Sequence, residues 1–470
     1  MFGVSIDRQS KLPLIRQIYQ QIRKRILEGN LQAGDRLPST RELADNLKVS
    51  RNVVIEAYDL LFTEGFVTTK HGKGTFVEIG AVLSVRTSKD EIISSNKVLN
   101  YNKETVSSNK NFINFKPGIP DLHFFPRSKW LQYYNDVIKN CSTDYLGYQS
   151  PEGIQELRQS ISDFLYHTRG IECEADRIII TTGAAQGLSI ISKLFHSNDK
   201  TMGIENPSSN DIYDIFHKQD YQINLLAVDD LGLNTHNLPA NLKLIYTTPS
   251  HQFPIGGLLP IQRRIELITY AREKHCYIIE DDYDSEFRYT SAPVCSMFEL
   301  DPQHVIYLGT FSKNLSPALR IGYMILPSDL IETCKQLKWY MDLHSPLLSQ
   351  LALAKFIENR DLESHIRKMS KLYKKKHQIL LTSLKEVFPS IKLFGTSTGL
   401  HVSVEFPINY EDHFIDQLKK EKVMIYPVKQ YIKAENEHIN KWIIGFGHLS
   451  IKEIQTGVDR LSKVFNEHYN

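Results

Sequence analysis

Three short segments of this 470-residue sequence combine side chains that bind or transfer charged groups. The first is Gly309-Thr310-Phe311-Ser312-Lys313, with Arg320 seven residues further on. A lysine among hydroxyls and a guanidinium suits an amine held beside a phosphate. The hydroxyls and the arginine bind the oxyanion, and the neighbouring positive charge lowers the lysine pKa. The second is Glu280-Asp281-Asp282-Tyr283-Asp284, four acids within five residues. Crowded carboxylates destabilise one another unless a cation, a metal or a protonated nitrogen neutralises one of them. The third, Thr181-Thr182-Gly183-Ala184-Ala185-Gln186-Gly187, is a small-residue turn ahead of an apolar helical run. The amides at such a helix start can hold a phosphate. Each segment also has a plainer reading: a lysine without a chemical role, a solvated acidic loop, an ordinary turn.

All three segments follow strand-like apolar runs. Ile178-Ile179-Ile180, Leu244-Ile245-Tyr246, Tyr277-Ile278-Ile279 and Val305-Ile306-Tyr307-Leu308 alternate with helical stretches. That alternation predicts a mostly parallel sheet covered on both faces, in which functional residues gather where strands end. Phosphate donors, an acid and an amine at neighbouring strand ends are the three anchors of pyridoxal 5'-phosphate. Five cysteines, Cys141, Cys173, Cys276, Cys295 and Cys334, are scattered without metal-ligand spacing. No metal site is expected, and the thiols fit a reducing cytosol. No apolar run approaches the ~18 residues of a membrane span, and the first residues lack a signal-peptide pattern, so a cytoplasmic protein without membrane contact is expected.

Residues 1–80 have a different pattern. Leu14, Ile18, Ile22 and Ile26 form the stripe of an amphipathic helix that Gly29-Asn30 stops. Ser39-Thr40-Arg41-Glu42 is a capping box opening a short second helix. After a tight turn at Lys48-Val49, Ser50 is expected to cap a third helix with Arg51 and Asn52 in its exposed first turn. Phe66-Val67-Thr68-Thr69 and Thr75-Phe76-Val77 flank the basic turn Lys70-His71-Gly72-Lys73-Gly74 and predict a hairpin. Helix, helix, turn, helix and hairpin make a winged helix-turn-helix. Arg51 and Asn52 suit base edges in the major groove, and Lys70 and Lys73 suit phosphates or the minor groove.

The charge distribution agrees. The whole chain has 56 Lys+Arg against 54 Asp+Glu, a net +2. Residues 1–80 hold twelve Lys/Arg against nine Asp/Glu, a net +3, which leaves 44 against 45, or −1, for the rest. A protein coated with nucleic acid along its whole surface is excluded. Residues 81–111, with repeated Ser, Asn and Lys and no sustained periodicity, read as a tether that as coil would span on the order of 30 Å.

The run 12–77, with "PSTRELADNLKVSRNVVIEAYDLLFTEGF" and "GKGTFV", resembles the DNA-binding domain of the GntR family of bacterial transcription regulators. By that resemblance Arg41, Arg51, Asn52 and the wing at Gly72 are the expected contacts to double-stranded promoter DNA, with Ser39, Thr40, Ser50, Lys70 and Lys73 on the same face. From about residue 114 onward the chain resembles a fold type I aminotransferase domain. "TTPSHQFPIGGLLP", "IIEDDYDSEF" and "GTFSKNLSPALRIGY" are similar to the MocR/GabR subfamily, which joins a GntR head to that domain. The implied fold is multidomain: an α+β winged helix-turn-helix over 1–80, a linker over 81–111, and over 112–470 an α/β pyridoxal-phosphate-dependent transferase fold of type I with large and small subdomains. The resemblance implies that Lys313 is the Schiff-base lysine, that Asp281 pairs with the pyridinium nitrogen and that Tyr283 bonds the ring hydroxyl. It also implies that Thr310, Ser312, Arg320 and the amides of Ala184 and Ala185 hold the phosphate, and that Tyr148 reaches the phosphate of the partner subunit in a homodimer.

The sequence departs from those relatives at three places. Aminotransferases fix the substrate carboxylate with an arginine in a late strand; here that strand reads Trp442-Ile443-Ile444-Gly445-Phe446. Phe253 stands where they place a ring-hydroxyl asparagine, and Ser209 and Asp211 stand where relatives that sense γ-aminobutyrate carry a tyrosine and an arginine. Tyr213 or His251 is the expected substitute for the ring-stacking aromatic and effector clamp. The expectation is a regulator that binds promoter DNA and senses pyridoxal phosphate itself, or a small amine or amino-acid effector, at Lys313, with at most vestigial transaminase activity. The alternative is an aminotransferase with an accessory DNA-binding head.

Overall fold

The computed structural model describes residues 3–10, 12–70, 72–79, 111–195, 200–290, 295–406, 412–434 and 438–469. His71 and residues 81–110 of the expected linker lie outside these. The chain divides into two compact units, residues 1–107 and 108–470.

In the first unit, α1 (Leu14–Leu27), α2 (Thr40–Leu47) and α3 (Arg51–Thr63) precede the hairpin of β1 (Val67–Lys70) and β2 (Gly74–Val77). The stripe on α1 is buried as its spacing predicts. Ile18, Ile22 and Ile26 join Leu43 and Ala44 of α2 and Val54, Ala57 and Leu61 of α3 in one core. The capping box is present: Ser39 Oγ accepts from the Glu42 amide at 3.2 Å, and the Ser39 amide donates back to the Glu42 carboxylate at 3.4 Å. Ser50 departs from expectation. It sits at the N-cap position of α3 but makes no side-chain cap bond. Lys70 lies within β1, opposite Gly74, rather than in the turn.

The second unit is built on an eight-stranded mixed sheet. Its strands are β4 (Ile178–Thr181), β5 (Thr201–Asn206), β6 (Gln222–Asp229), β7 (Gly232–Leu233), β8 (Leu244–Thr247), β9 (Tyr277–Asp282), β10 (Val305–Thr310) and β11 (Gly322–Ile325), after a two-residue β3 at Ile113–Asn114. The order is β4-β11-β10-β9-β8-β5-β6-β7. β10, β9, β8, β5 and β6 are parallel, and β11 enters antiparallel between β10 and β4. All four apolar runs read from the sequence are strands of this sheet. Each is almost wholly buried, which is why it reads as a continuous apolar run rather than as an alternation. Separate apolar clusters cover the two faces. A 27-residue helix, Asp361–Val387, leads to a smaller four-stranded antiparallel sheet. Its strands are β12 (Lys392–Phe394), β13 (His401–Glu405), β15 (Tyr426–Pro427) and β16 (Lys441–Gly445), while β14 (Val423–Met424) pairs with β3. The large and small subdomains expected from the sequence are both present.

Candidate functional site

β9 and β10 lie side by side, with Leu308 opposite Asp281 and Gly309 opposite Asp282, so the acid segment and the lysine segment leave the sheet together. Lys313 Nζ donates to the carbonyl of Gly118 at 2.6 Å. Gly118 has φ +72°, and a Cβ there would approach Nζ to 3.1 Å. Desolvation lowers the Lys313 pKa, against the opposing charges of Asp284 and Asp281. A lysine so placed holds more of its neutral, nucleophilic form near neutral pH than a surface lysine.

The four acids are not a solvated loop. Each is buried with its own partners. Glu280 accepts from Ser296 Oγ at 2.6 Å and from the amides of Met297 and Phe298. Asp281 accepts from the Tyr246 hydroxyl at 2.6 Å. Asp282 pairs with Arg169 and accepts from Tyr307. Asp284 holds His251 Nδ1 at 3.0 Å and the Leu400 amide. Burial pushes Asp281 up to about 7, with the Tyr246 bond opposing and Asp282 adding to the rise. A carboxyl poised in this way gains most from a cationic partner such as a protonated ring nitrogen.

The expected phosphate donors surround one helix start. Helix Ala184–Leu194 follows Gly183, whose φ is +100° and which has no side-chain cap. The first-turn amides of Ala184 and Ala185 have no acceptor within the helix. Arg320 arches over this start: a Cβ on Gly183 would lie 2.8 Å from its Nη2, which donates to the Thr182 carbonyl at 2.5 Å. Thr310, Gly322 and Thr181 sit in register across three adjacent strands. Thr310 Oγ1 donates to Ser312 Oγ at 3.0 Å and accepts from the Ser312 amide at 3.1 Å. Free amides, two hydroxyls and an exposed guanidinium around a cradle that only glycine permits are a donor set that fits a phosphate monoester.

Around Asp284 the structure brings together residues the sequence did not. His251 and Tyr283 stack at 29° with centroids 5.9 Å apart, and the Tyr283 hydroxyl donates to the His251 carbonyl at 2.8 Å. Its oxygen can still accept, so its bond to a ligand would be as acceptor. His401, pulled down to about 3 by burial, lies 4.4 Å from the His251 ring, and its Nε2 donates to the Pro254 carbonyl at 3.1 Å. Ligand-type atoms of His251, Asp284 and His401 lie within 4.8 Å of one another. Phe253 packs edge-on against His401 and Tyr431. Tyr213 is elsewhere, stacked on His217 beneath Lys433, and Asp211 is exposed. On β16, Ile443 is buried in an apolar cluster with Val228, Ile255 and Val428, where the sequence comparison looked for an arginine. Tyr246 and Gly118 had no local sequence signal.

Tyr148 is 79% exposed and meets His344 edge-on. Leu146, Trp339, Tyr340 and Met341, neighbours of these two in the chain, are exposed as well. In the first unit Ser39, Arg41, Ser50, Arg51, Asn52, Lys70, Gly72 and Lys73 are all exposed and Thr40 is half-buried. Arg51 Nε donates to Thr40 Oγ1 at 3.3 Å, tying α3 to the start of α2.

The two units thus define a transcription regulator with a winged helix-turn-helix head and an aminotransferase-like body. Residues 14–77 match the gntR family of bacterial regulatory proteins, and residues 111–440 match aminotransferase class I and II. The chain is 36% identical to the uncharacterized HTH-type transcriptional regulator YhdI of Bacillus subtilis, over 97% of this chain and 96% of that one. It is 32% identical to the HTH-type pyridoxine biosynthesis transcriptional regulator PdxR of Corynebacterium glutamicum, over 82% of each. The body is similar to a kynurenine aminotransferase structure from Pyrococcus horikoshii, with a TM-score of 0.72 and 25% identity over 80% of this chain and 97% of that one. The chain belongs to the MocR/GabR subfamily of GntR transcription regulators. No described helix is long and apolar enough to cross a membrane.

Proposed function

We propose that this regulator binds pyridoxal 5'-phosphate at Lys313 and uses that site to sense an amine, an amino acid or the cofactor itself. The observation that carries the reading is the meeting, at adjacent strand ends, of a desolvated lysine, a carboxyl with a raised pKa and a glycine-lined phosphate cradle. Bound there, the cofactor would supply an aldehyde reactive toward primary amines. Ala184, Ala185, Thr310, Ser312 and Arg320 would hold its phosphate, and Asp281 its ring nitrogen. Lys313 presents its amine from a fixed position beside Gly118, so an amine effector acts as its competitor. Such competition alters DNA binding only if the effector prefers one arrangement of the protein over another.

Ser39, Thr40, Arg41, Ser50, Arg51, Asn52, Lys70, Gly72 and Lys73 would form the DNA face, as the exposure of all but the half-buried Thr40 supports. The exposed aromatic and apolar groups at Leu146, Tyr148, Trp339 and Tyr340 support a homodimer in which a second copy covers them. The apolar cluster around Ile443 supports regulation over efficient transamination, because it offers no guanidinium to orient a substrate carboxylate. The test is to mix the full chain with pyridoxal phosphate, reduce with borohydride and map the modified peptide by mass spectrometry. Attachment at Lys313, lost in Lys313→Ala, is expected. Attachment unaffected by Lys313→Ala would overturn the lysine assignment, and efficient multiple turnover on an amino-acid panel would overturn the regulator-only reading.

A further inference from the structure

Asp284, just past the end of β9, has no part in holding the cofactor, yet it is buried beside the site together with His251. Its carboxylate accepts from His251 Nδ1 at 3.0 Å and from the Leu400 amide at 3.2 Å. Gly399, with φ +83°, closes over the pair: a Cβ there would clash with His251 Cε1 and lie 2.8 Å from Asp284 Oδ2. The carboxylate is thus held from the large subdomain by His251 and from the small one by the backbone ahead of β13.

Neither partner neutralises it. His251 Nε2 is buried and has no hydrogen-bond partner among the described residues. An imidazolium would carry a proton there with nothing to receive it, whereas a neutral ring protonated at Nδ1 leaves only a lone pair. Nor do the two histidines converge on a common metal ion. The rings of His251 and His401 lie nearly face to face, tilted by 33° with centroids 4.4 Å apart, and the nitrogen lone pairs lie in the ring planes. A buried carboxylate left with neutral donors needs a cation nearby.

Lys313 is that cation. Its Nζ is tied to the Gly118 carbonyl. The next residue, Ile119, lies against Gly447, where a Cβ would come 2.5 Å from the Ile119 carbonyl oxygen and 3.5 Å from Leu400 Cδ1. Lysine and carboxylate are therefore anchored on neighbouring stretches of backbone. The other charged groups here are already accounted for. Burial pushes Asp281 up to about 7, so it is only partly ionised near neutral pH. Burial pulls His401 down to about 3, so it is neutral. Lys376, which reaches the Gly447 carbonyl, is paired with Asp121. Burial holds the Tyr283 hydroxyl well above its ordinary range, and Asp284 adds to this. Burial lowers the proton affinity of Lys313, and Asp284, ahead of Asp281, opposes that.

We propose that Asp284 is a positioning residue of the Lys313 site: fixed by His251 and the Leu400 amide, its carboxylate is the negative charge that retains the proton on Lys313 Nζ and so sets how much free amine the site offers a ligand. This rests on the reading of Lys313 as the reactive amine. Without that charge, desolvation acts on the lysine with less opposition, and the amine is free at lower pH.

The pH dependence of Lys313 acylation in the cofactor-free full chain tests this. The chain is treated with trace acetic anhydride across a pH series, and modification at Lys313 is read by peptide mass spectrometry against the exposed Lys371 in the same sample. Asp284→Asn keeps an acceptor for His251 and Leu400 but removes the charge. It should lower the Lys313 midpoint by about 1 pH unit or more, with Lys371 unmoved. Asp284→Ser removes the same charge with a smaller group and should give the same shift if the asparagine variant does not fold. Asp281→Asn removes a carboxyl that is already partly protonated and should shift the midpoint less. An unmoved Lys313 midpoint in the neutral variants, or a larger shift in Asp281→Asn, overturns the proposal. Cofactor attachment is scored separately in the same proteins by borohydride reduction with pyridoxal phosphate. Attachment at Lys313 with an unmoved acylation midpoint refutes the role of Asp284 alone, while a shifted midpoint without attachment upholds it and refutes the cofactor.

Discussion

In the head, Arg41, Arg51, Lys70 and Lys73 stand in water, whereas in the body Arg264, Lys338 and Lys376 are almost wholly removed from it. The buried cations are tied down. Lys338 Nζ meets Asp342 at 2.7 Å and Ser345. Lys376 Nζ donates to Asp121 and to the Gly447 carbonyl, each at 2.7 Å. Arg264 donates to the carbonyls of Leu259, Cys295 and Pro249. A solvated cation adds little to folding and remains free to meet an external anion, while a buried one is tolerated only with partners. The head can therefore lose a functional charge and stay folded. In the body the buried cations that serve the fold lie on helices, while at the ends of β9 and β10 Asp281 and Lys313 stand beside Glu280 and Asp282, whose charges are taken up by protein partners.

The sharpest way to break this contrast is to remove the partner of a buried cation. Asp121→Ala would leave Lys376 with one carbonyl in a site 2% exposed, and should destabilise the body by about 3–5 kcal/mol in denaturant unfolding. A loss below about 1 kcal/mol would mean that these pairs are as dispensable as surface ones. A smaller effect is expected at Asp281. Its pKa in the folded chain, about 7, lies above the ordinary 3.8, so the folded state holds this proton more tightly than the unfolded one. The group's contribution to stability is complete below about pH 4 and is lost as pH rises toward 7. Without added cofactor, the wild type should lose stability relative to Asp281→Asn across that window, by at most about 4 kcal/mol. Parallel pH profiles for the two proteins would remove Asp281 as a desolvated carboxyl.

Legibility in the sequence follows the same division. The head was readable almost element by element because its signals are local: a stripe of four isoleucine and leucine positions, a capping box spanning Ser39 to Glu42, a hairpin closed by glycines. Ser50 shows the limit, since a residue suited to capping fixes the position of a helix start but not whether its hydroxyl turns inward. In the body the fully buried strands announced themselves, but β11 did not, because nothing in Gly322–Ile325 tells that it inserts antiparallel between β10 and β4. Nor could the sequence say how four adjacent acids are tolerated. The partner of Asp282 lies 113 residues away at Arg169, and that of Asp284 lies 33 away at His251.

The smallest expected effects lie in the head, and there stability and binding should separate. Ser39→Ala removes the hydroxyl that accepts from the Glu42 amide and should cost the head about 1 kcal/mol of stability. Arg51→Ala removes an exposed side chain whose one hydrogen bond among the described residues is a 3.3 Å bond to Thr40, so it should change stability by no more than about 0.5 kcal/mol. If Arg51 reads a base edge, the same variant should weaken binding to the cognate promoter by about 1–3 kcal/mol while leaving binding to unrelated DNA nearly unchanged. Equal losses on both DNAs would reduce Arg51 to a phosphate contact, and loss of fold would contradict the separation drawn above. Melting of the isolated variants together with gel-shift titrations on both DNAs at one fixed salt concentration decides between these outcomes, because a phosphate contact alters every affinity alike and only a base contact alters their ratio.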